Sequence, residues 1–329
     1  MRILKSNDIR EALPMNDAIA GMKVAFSLYS SGLAISPLRS RIELPGGNGS
    51  CFFMPAYLRD GDMEPVVIKA VNVFPGNRAR GEATVHAAVL LMDGRTGKTL
   101  ALIEGAALTA IRTGAASGLA TDLLSRPESR TVAVFGAGTQ ARTQIEAVCT
   151  VRPIDEIRVF ARDKTHVKAF TRDIQATGLF KGRIIEADSP ADALGGADIV
   201  CTATTSSQPV FEPADITPGT HINAIGAYLP TQREIPEKTV SGASVYVDSV
   251  TSAFSEAGDL IIPMNSGTMK KEQVKGEIGE LVLGRIRGRS GPEEITLFKS
   301  VGIAVQDAVA AAIAYRNAER SGAGAEIDW

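Results

Sequence analysis

Hydrophobic and polar positions along this chain follow two rhythms in turn. Near the start, Ile19, Met22, Phe26 and Tyr29 recur at helical spacing, which predicts an amphipathic surface helix that Asn16 caps and Gly32 ends. The pattern then turns strand-like over residues 50–54, 65–74, 85–92 and 99–104, with Asp93-Gly94-Arg95-Thr96-Gly97 joining the last two. Connections this short join antiparallel neighbours, so the first third reads as an α+β unit built on an antiparallel sheet.

Helical spacing returns over 108–124, and from Thr131 onward strands and helices alternate. Strands are expected at 131–135, 156–160, 183–186 and 198–203, with helices at 164–176 and 191–195 between them and further strands at 221–225 and 244–247. Such alternation specifies α/β architecture with a doubly wound parallel sheet. The final alanine-rich helix, 301–320, has no strand partner in that series and is expected to return to the N-terminal unit. One domain is therefore discontinuous, 1–115 with 298–329, and 116–297 is inserted in it.

The most informative segment within the inserted part is Gly136-Ala137-Gly138-Thr139-Gln140-Ala141, between an apolar strand and a helix. Gly136 permits the tight turn, Gly138 lets the backbone approach a pyrophosphate, and Ala141 allows close helix packing, so helix-end N–H groups face the anion. A nicotinamide or flavin dinucleotide is the implied ligand. The competing reading is a glycine turn with a purely structural role.

Composition narrows the partners. With 329 residues, 35 basic and 37 acidic side chains, there is no charge excess of the kind that draws nucleic acid or an anionic membrane, and a small molecule is expected instead. Cys51, Cys149 and Cys201 are scattered, odd in number and without a ligand partner at metal-binding spacing, which suits a reducing, cytoplasmic setting and no metal. The N-terminus becomes charged too early for a signal peptide, and the apolar stretch 301–315 is interrupted by Gln306 and Asp307, short of a membrane span. The 32 glycines, above the ~7 % of an average chain, sit at turns rather than in a repeat.

Three cations stand out. Lys69 interrupts the apolar strand Val66-Val67-Ile68-Lys69-Ala70-Val71, either on a solvated face or turned into a closed cavity. In a cavity, desolvation would lower its pKa toward neutrality and let it exchange a proton with an imine or amine. Arg112 lies among small residues in Ala110-Ile111-Arg112-Thr113-Gly114-Ala115, and Arg41 in Arg39-Ser40-Arg41-Ile42. Either arginine is a candidate for bidentate carboxylate binding or a solvated surface cation.

These segments together resemble the ornithine cyclodeaminase and mu-crystallin family nearly end to end. The resemblance is carried by Phe53-Met54-Pro55-Ala56, Lys69 to Asn77, Leu108 to Ser117, the Gly136 turn, Ala197 to Thr204, Gly219 to Ala227 and Glu294 to Gly302. It implies a Rossmann domain inserted in a substrate-binding domain that also forms a homodimer. Arg41, Lys69 and Arg112 would hold a substrate carboxylate and serve proton transfer, with Tyr228 and Val301 as further substrate-facing positions. The implied cofactor positions are Gly136, Ala137, Gly138, Thr139 and Gln140 in the turn, and Thr202, Ala203 and Thr204 after a later strand. To these are added Ile225, Gly226 and Ala227, then Thr84, Arg112 and Ser300.

Members of that family act on a carbon–nitrogen double bond beside a carboxylate. Cyclodeaminases carry an aspartate after the glycine of the Ile225-Gly226-Ala227 segment, where this chain has Tyr228, either packing on a ring or simply a loop aromatic. Ala227-Tyr228-Leu229-Pro230 looks more like the ketimine-reducing members. At the end of the next strand Arg162 stands where an acid would bind the ribose of NAD. It faces either a 2′-phosphate or solvent, and Asp163 follows it, so NADP(H) is favoured and NAD(H) stays open. The expected activity is NAD(P)H-dependent reduction of a small cyclic imino acid, Δ1-pyrroline-2-carboxylate to proline or its six-membered analogue to pipecolate. The rivals are ornithine cyclodeamination, alanine dehydrogenation and ligand binding of mu-crystallin type without turnover.

Overall fold

The computed structural model describes residues 1–59 and 64–328. The chain divides into two compact units, Met1–Arg112 with Ile303–Trp329, and Thr113–Gly302. The boundaries expected from the sequence, 115/116 and 297/298, lie a few residues away.

In chain order the first stretch comprises β1 (Arg2–Leu4), α1 (Ser6–Ala12), α2 (Met15–Ser30), β2 (Ala34–Ile35), β3 (Ser40–Glu43), β4 (Ser50–Leu58), β5 (Pro65–Val73), β6 (Val85–Asp93), β7 (Thr99–Glu104) and α3 (Gly105–Leu124). Next come β8 (Thr131–Phe135), α4 (Thr139–Val151), β9 (Glu156–Phe160), α5 (Lys164–Ala176), β10 (Arg183–Glu186), α6 (Pro190–Leu194), β11 (Ile199–Thr202) and β12 (His221–Ala224). They are followed by α7 (Glu237–Gly242), β13 (Ser244–Val247), α8 (Val250–Glu256), α9 (Gly258–Asn265), β14 (Val274–Glu277), α10 (Ile278–Val282) and β15 (Thr296–Lys299). The chain closes with α11 (Ala304–Ser321) and β16 (Ala325–Glu326).

The sheet of the first unit runs β16-β1-β7-β6-β5-β4-β2, with β3 also on β4. Its pairs are antiparallel except β1 with β7. Alternation gives β5 an inner face with Val67 and Lys69 buried, and an outer face with Ile68 exposed. Helix α11 covers the inner face of β4 and β5 and packs on α2. Gly21 is where those helices touch, since a Cβ there would stand 2.5 Å from Ile313 Cδ1. Asn16 does not cap α2. The helix already begins at Met15, and Pro14 (φ −62°) occupies the cap with an extended backbone ready for helical entry.

The sheet of the second unit is parallel throughout, in the order β10-β9-β8-β11-β12-β15-β13-β14. Strands β8, β9, β10 and β13 occupy their expected residues. Strand β15 was not expected: Thr296 and Lys299 flank Leu297-Phe298, an apolar pair too short to register as a strand although all four residues are buried. The order reverses between β8 and β11, which places a crevice at their carboxyl ends, where open α/β sheets bind ligands. Among the described residues, no helix is long and apolar enough to cross a membrane.

Candidate functional site

In the first unit, β5 carries Lys69 between Met54 of β4 and Val89 of β6. Alternation turns its side chain to the inner face, where it is 1 % exposed. The opposing charge comes from Asp307 in the first turn of α11, fully buried, with its Oδ2 at 2.7 Å from Lys69 Nζ. The other oxygen of Asp307 accepts from Arg112 Nε at 3.1 Å. Arg112 also donates to Gln306 Oε1 at 2.8 Å, and that oxygen accepts the backbone N–H of Ile303 at 2.9 Å. Two cations thus share one carboxylate.

Burial, reinforced by the Arg112 guanidinium, brings the pKa of Lys69 down to about 7, while Asp307 opposes that fall and Arg39 adds to it. Lys69 is therefore divided between ammonium and amine near neutral pH. The solvated-face reading of this lysine does not hold. Gln306 Nε2 is buried and finds no acceptor among the described residues, so a spare donor lies beside Arg112.

Arg41 is placed differently from Lys69 and Arg112. It is exposed on β3, ion-paired with Glu43 and 5.4 Å from the centre of the Phe52 ring. From this segment it is Arg39, over the same ring at 5.7 Å, whose charge acts on Lys69. Thr84 is half-buried just before β6, its carbonyl accepting the Phe74 N–H at 2.8 Å.

In the second unit the candidate residues stand beyond the carboxyl ends of adjacent strands. Gly136 follows β8 with φ +108°, and a Cβ on it would lie 2.5 Å from the carbonyl oxygen of Ala203 after β11. Only glycine suits that turn. Gly138 is the N-cap of α4 and offers no side-chain cap, and a Cβ there would meet nothing within 4 Å. An open backbone at an uncapped helix start is the geometry a pyrophosphate needs. Ala137 is half-buried, Thr139 is exposed, and Gln140 Oε1 is buried with no donor among the described residues. The residues present therefore fit a dinucleotide.

Behind this crevice lie charged groups that sequence reasoning missed. The carboxylate of Glu234, fully buried, accepts from Thr202 Oγ1 (2.9 Å), Thr204 N (2.6 Å), Gly226 N (2.7 Å) and Ala227 N (3.2 Å). It ties together the turns after β11 and β12. Desolvation and the nearby Asp259 raise its pKa. Asp259 accepts the N–H of Glu234 and of Ile235 and pairs with Lys299 at 2.8 Å, and Lys299 also donates to the Ala227 carbonyl at 2.6 Å. Asp248 accepts from Ser300 Oγ (2.7 Å) and the N–H groups of Val301 (2.9 Å) and Gly302 (2.7 Å), fixing the turn after β15. Asp248 and Lys299 carried a signal in the sequence, as charges at the ends of apolar strands, whereas Glu234 follows the polar run Thr231-Gln232-Arg233 and carried none.

Ile225, Ala227, Ser300 and Val301 are buried, while Ala203 and Tyr228 are half-buried, Tyr228 against the core of the sheet. Arg162 is exposed one residue before the N-cap of α5. That cap is Asp163, whose carboxylate accepts from Thr165 N (2.9 Å) and His166 N (3.3 Å) and contacts His166 Nδ1 (2.7 Å). Those bonds, first those from His166, hold its pKa below the usual carboxylate value.

A parallel, doubly wound sheet with a glycine turn at its switch point, in a chain whose other unit carries a buried lysine–aspartate–arginine cluster, defines an α/β protein of the dinucleotide-binding class. The chain belongs to the ornithine cyclodeaminase/mu-crystallin family, whose pattern matches residues 1–322. It is 36 % identical over 330 residues to a Δ1-pyrroline-2-carboxylate reductase of Bacillus thuringiensis subsp. konkukian, covering 100 % of both. An alanine dehydrogenase of Archaeoglobus fulgidus is 33 % identical, over 99 % of this chain and 98 % of that one. The solved Δ1-pyrroline-2-carboxylate reductase of Thermococcus litoralis, in complex with NADH and L-proline, superposes with a TM-score of 0.94 at 38 % identity, covering 99 % of this chain and all (100 %) of the other.

Proposed function

We propose that this chain reduces a small cyclic ketimine acid, Δ1-pyrroline-2-carboxylate or its six-membered analogue, with a reduced nicotinamide dinucleotide. The observation that carries the reading is the buried Lys69–Asp307–Arg112 cluster, with Lys69 poised near neutrality. Arg112 binds the substrate carboxylate, its orientation held by Asp307 and Gln306. Lys69 donates a proton from Nζ to the ring nitrogen, which makes the adjacent carbon far more receptive to hydride. The bound dinucleotide supplies that hydride. The turns fixed by Glu234 and Asp248 hold the cofactor.

Tyr228, in place of a carboxylate after Gly226-Ala227, speaks against cyclodeamination, because it leaves less to anchor a second amine. Resemblance to an alanine dehydrogenase keeps the open-chain imine of pyruvate as a second reading. For the cofactor, Asp163 is occupied as a helix cap and Arg162 is exposed beside it, which favours a 2′-phosphate and NADP(H) over NAD(H). The mostly apolar outer face of the first unit's sheet suits pairing with a second copy as a homodimer.

A substrate panel tests the reading: pyrroline-2-carboxylate, piperideine-2-carboxylate, ornithine, and pyruvate with ammonia, each with the matching redox state of NAD and NADP. Oxidation of NADPH with a cyclic ketimine is expected. Ammonia release from ornithine without ketimine reduction would overturn the proposal.

A further inference from the structure

We propose that Asp307 is the positioning residue of this site: one carboxylate fixes Lys69 and Arg112 together and favours the proton-bearing form of Lys69. The inference rests on the reading of Lys69 as proton donor. Asp307 is fully buried, and its two oxygens are divided between the two cations, at 2.7 Å and 3.1 Å. A carboxylate bridging in this way sets the spacing between the group that holds the substrate acid and the group that protonates its nitrogen.

The placement of Asp307 follows from the start of α11. Gln306 accepts the Ile303 N–H with Oε1, which secures the first turn, and the same oxygen receives Arg112. An acidic side chain in that turn also complements the helix dipole. Neighbouring residues are thus anchored to one guanidinium, and Asp307 reaches Lys69 from a rigid element rather than a loop.

The charged groups acting on Lys69 are three, each from a different part of the first unit. Burial on β5 disfavours its ammonium most, followed by Arg112 of α3 and, less strongly, Arg39 ahead of β3, while Asp307 of α11 favours it, alone among the described residues. With lysine protonated, two cations face one carboxylate, and the surplus positive charge matches a substrate carboxylate. During turnover the Nζ–H bond breaks as an N–H bond forms at the imine nitrogen. Lys69 is left as the neutral amine, Asp307 stays ionised, and solvent returns the proton to Lys69.

Activity of the wild-type protein should fall as pH rises through about 7, because the acid form of Lys69 is then lost. Asp307→Asn removes the carboxylate that favours the ammonium, so this falling limb should move to lower pH by about 1–3 units. Activity should be recovered in part at the acidic end. A structural role would lower activity evenly and leave the limb where it is, which would overturn the proposal. Asp307→Glu retains the charge on a longer arm. It should return the limb toward the wild-type position with a reduced kcat, whereas an unchanged kcat and limb would also overturn the proposal. Lys69→Ala separates the two levels: surviving turnover sinks the proton-donor reading, while an inactive Lys69→Ala beside an unmoved Asp307→Asn limb sinks only the role of Asp307.

Discussion

A lysine works as an acid near neutral pH only where its ammonium is costly to keep, and Lys69 meets that condition by burial beside a guanidinium. Arg112 is specific in a different sense, since its planar head reaches Asp307 and Gln306 at once. A lysine ammonium cannot span both partners with the same geometry. Arg112→Lys should therefore reduce kcat/KM by about 10–100-fold, mainly through KM, as charged hydrogen bonds are lost. Steady-state kinetics with the ketimine substrate checks this, and unchanged parameters would remove Arg112 from the carboxylate site. Lys69 was legible because a charge in an apolar strand demands a reason. Asp307 was not, although it breaks an alanine-rich helix for the same reason, because its partners are distant in sequence and an acid in a first turn also reads as ordinary helix chemistry. Arg41 has the residue type a carboxylate site uses, and the structure shows it on an exposed strand paired with Glu43, two residues on.

At the scale of elements, the two glycines of the β8–α4 turn differ in what they permit. Gly136 has φ +108° and no room for a Cβ beside the Ala203 carbonyl, whereas Gly138 has an ordinary φ of −107° and open space around it. Gly136→Ala should cost about 1–3 kcal/mol of stability and weaken dinucleotide binding, through strain in the turn itself. Gly138→Ala should leave the melting temperature unchanged and weaken only binding, by placing a methyl where the phosphates approach. Thermal melts beside NADPH fluorescence titrations separate these outcomes. Equal melting temperatures for the two variants would refute the distinction. Strand, turn and helix were legible here because all three are local in the sequence. The support behind them was not, since Glu234 joins two turns from different strands and Asp248 holds a third. Those bonds depend on sheet order, which periodicity does not specify.

At the scale of the molecule, the return of α11 to the first unit was legible from a long helix left without a strand to follow. The outer face of that unit's sheet was not, because an alternating strand looks the same whether its second face meets water or protein. On that face Ile42 of β3, Phe53 of β4, Ile68 of β5 and Leu102 of β7 are 53 %, 38 %, 42 % and 38 % exposed. Register places them together: Pro55 lies opposite Ile68, Ile68 opposite Leu90, and Leu90 opposite Leu102. A patch spread over four strands is larger than isolated surface side chains account for. If a second copy covers it, a charge at its middle must be buried unpaired on assembly, at a cost of several kcal/mol. Ile68→Glu should therefore give a monomer by light scattering where the unmodified protein is expected to give a dimer. Its neighbour Lys69 points to the opposite face, so folding and the Lys69–Asp307 pair should survive the change. A dimer that persists through Ile68→Glu would place the contact elsewhere on the molecule.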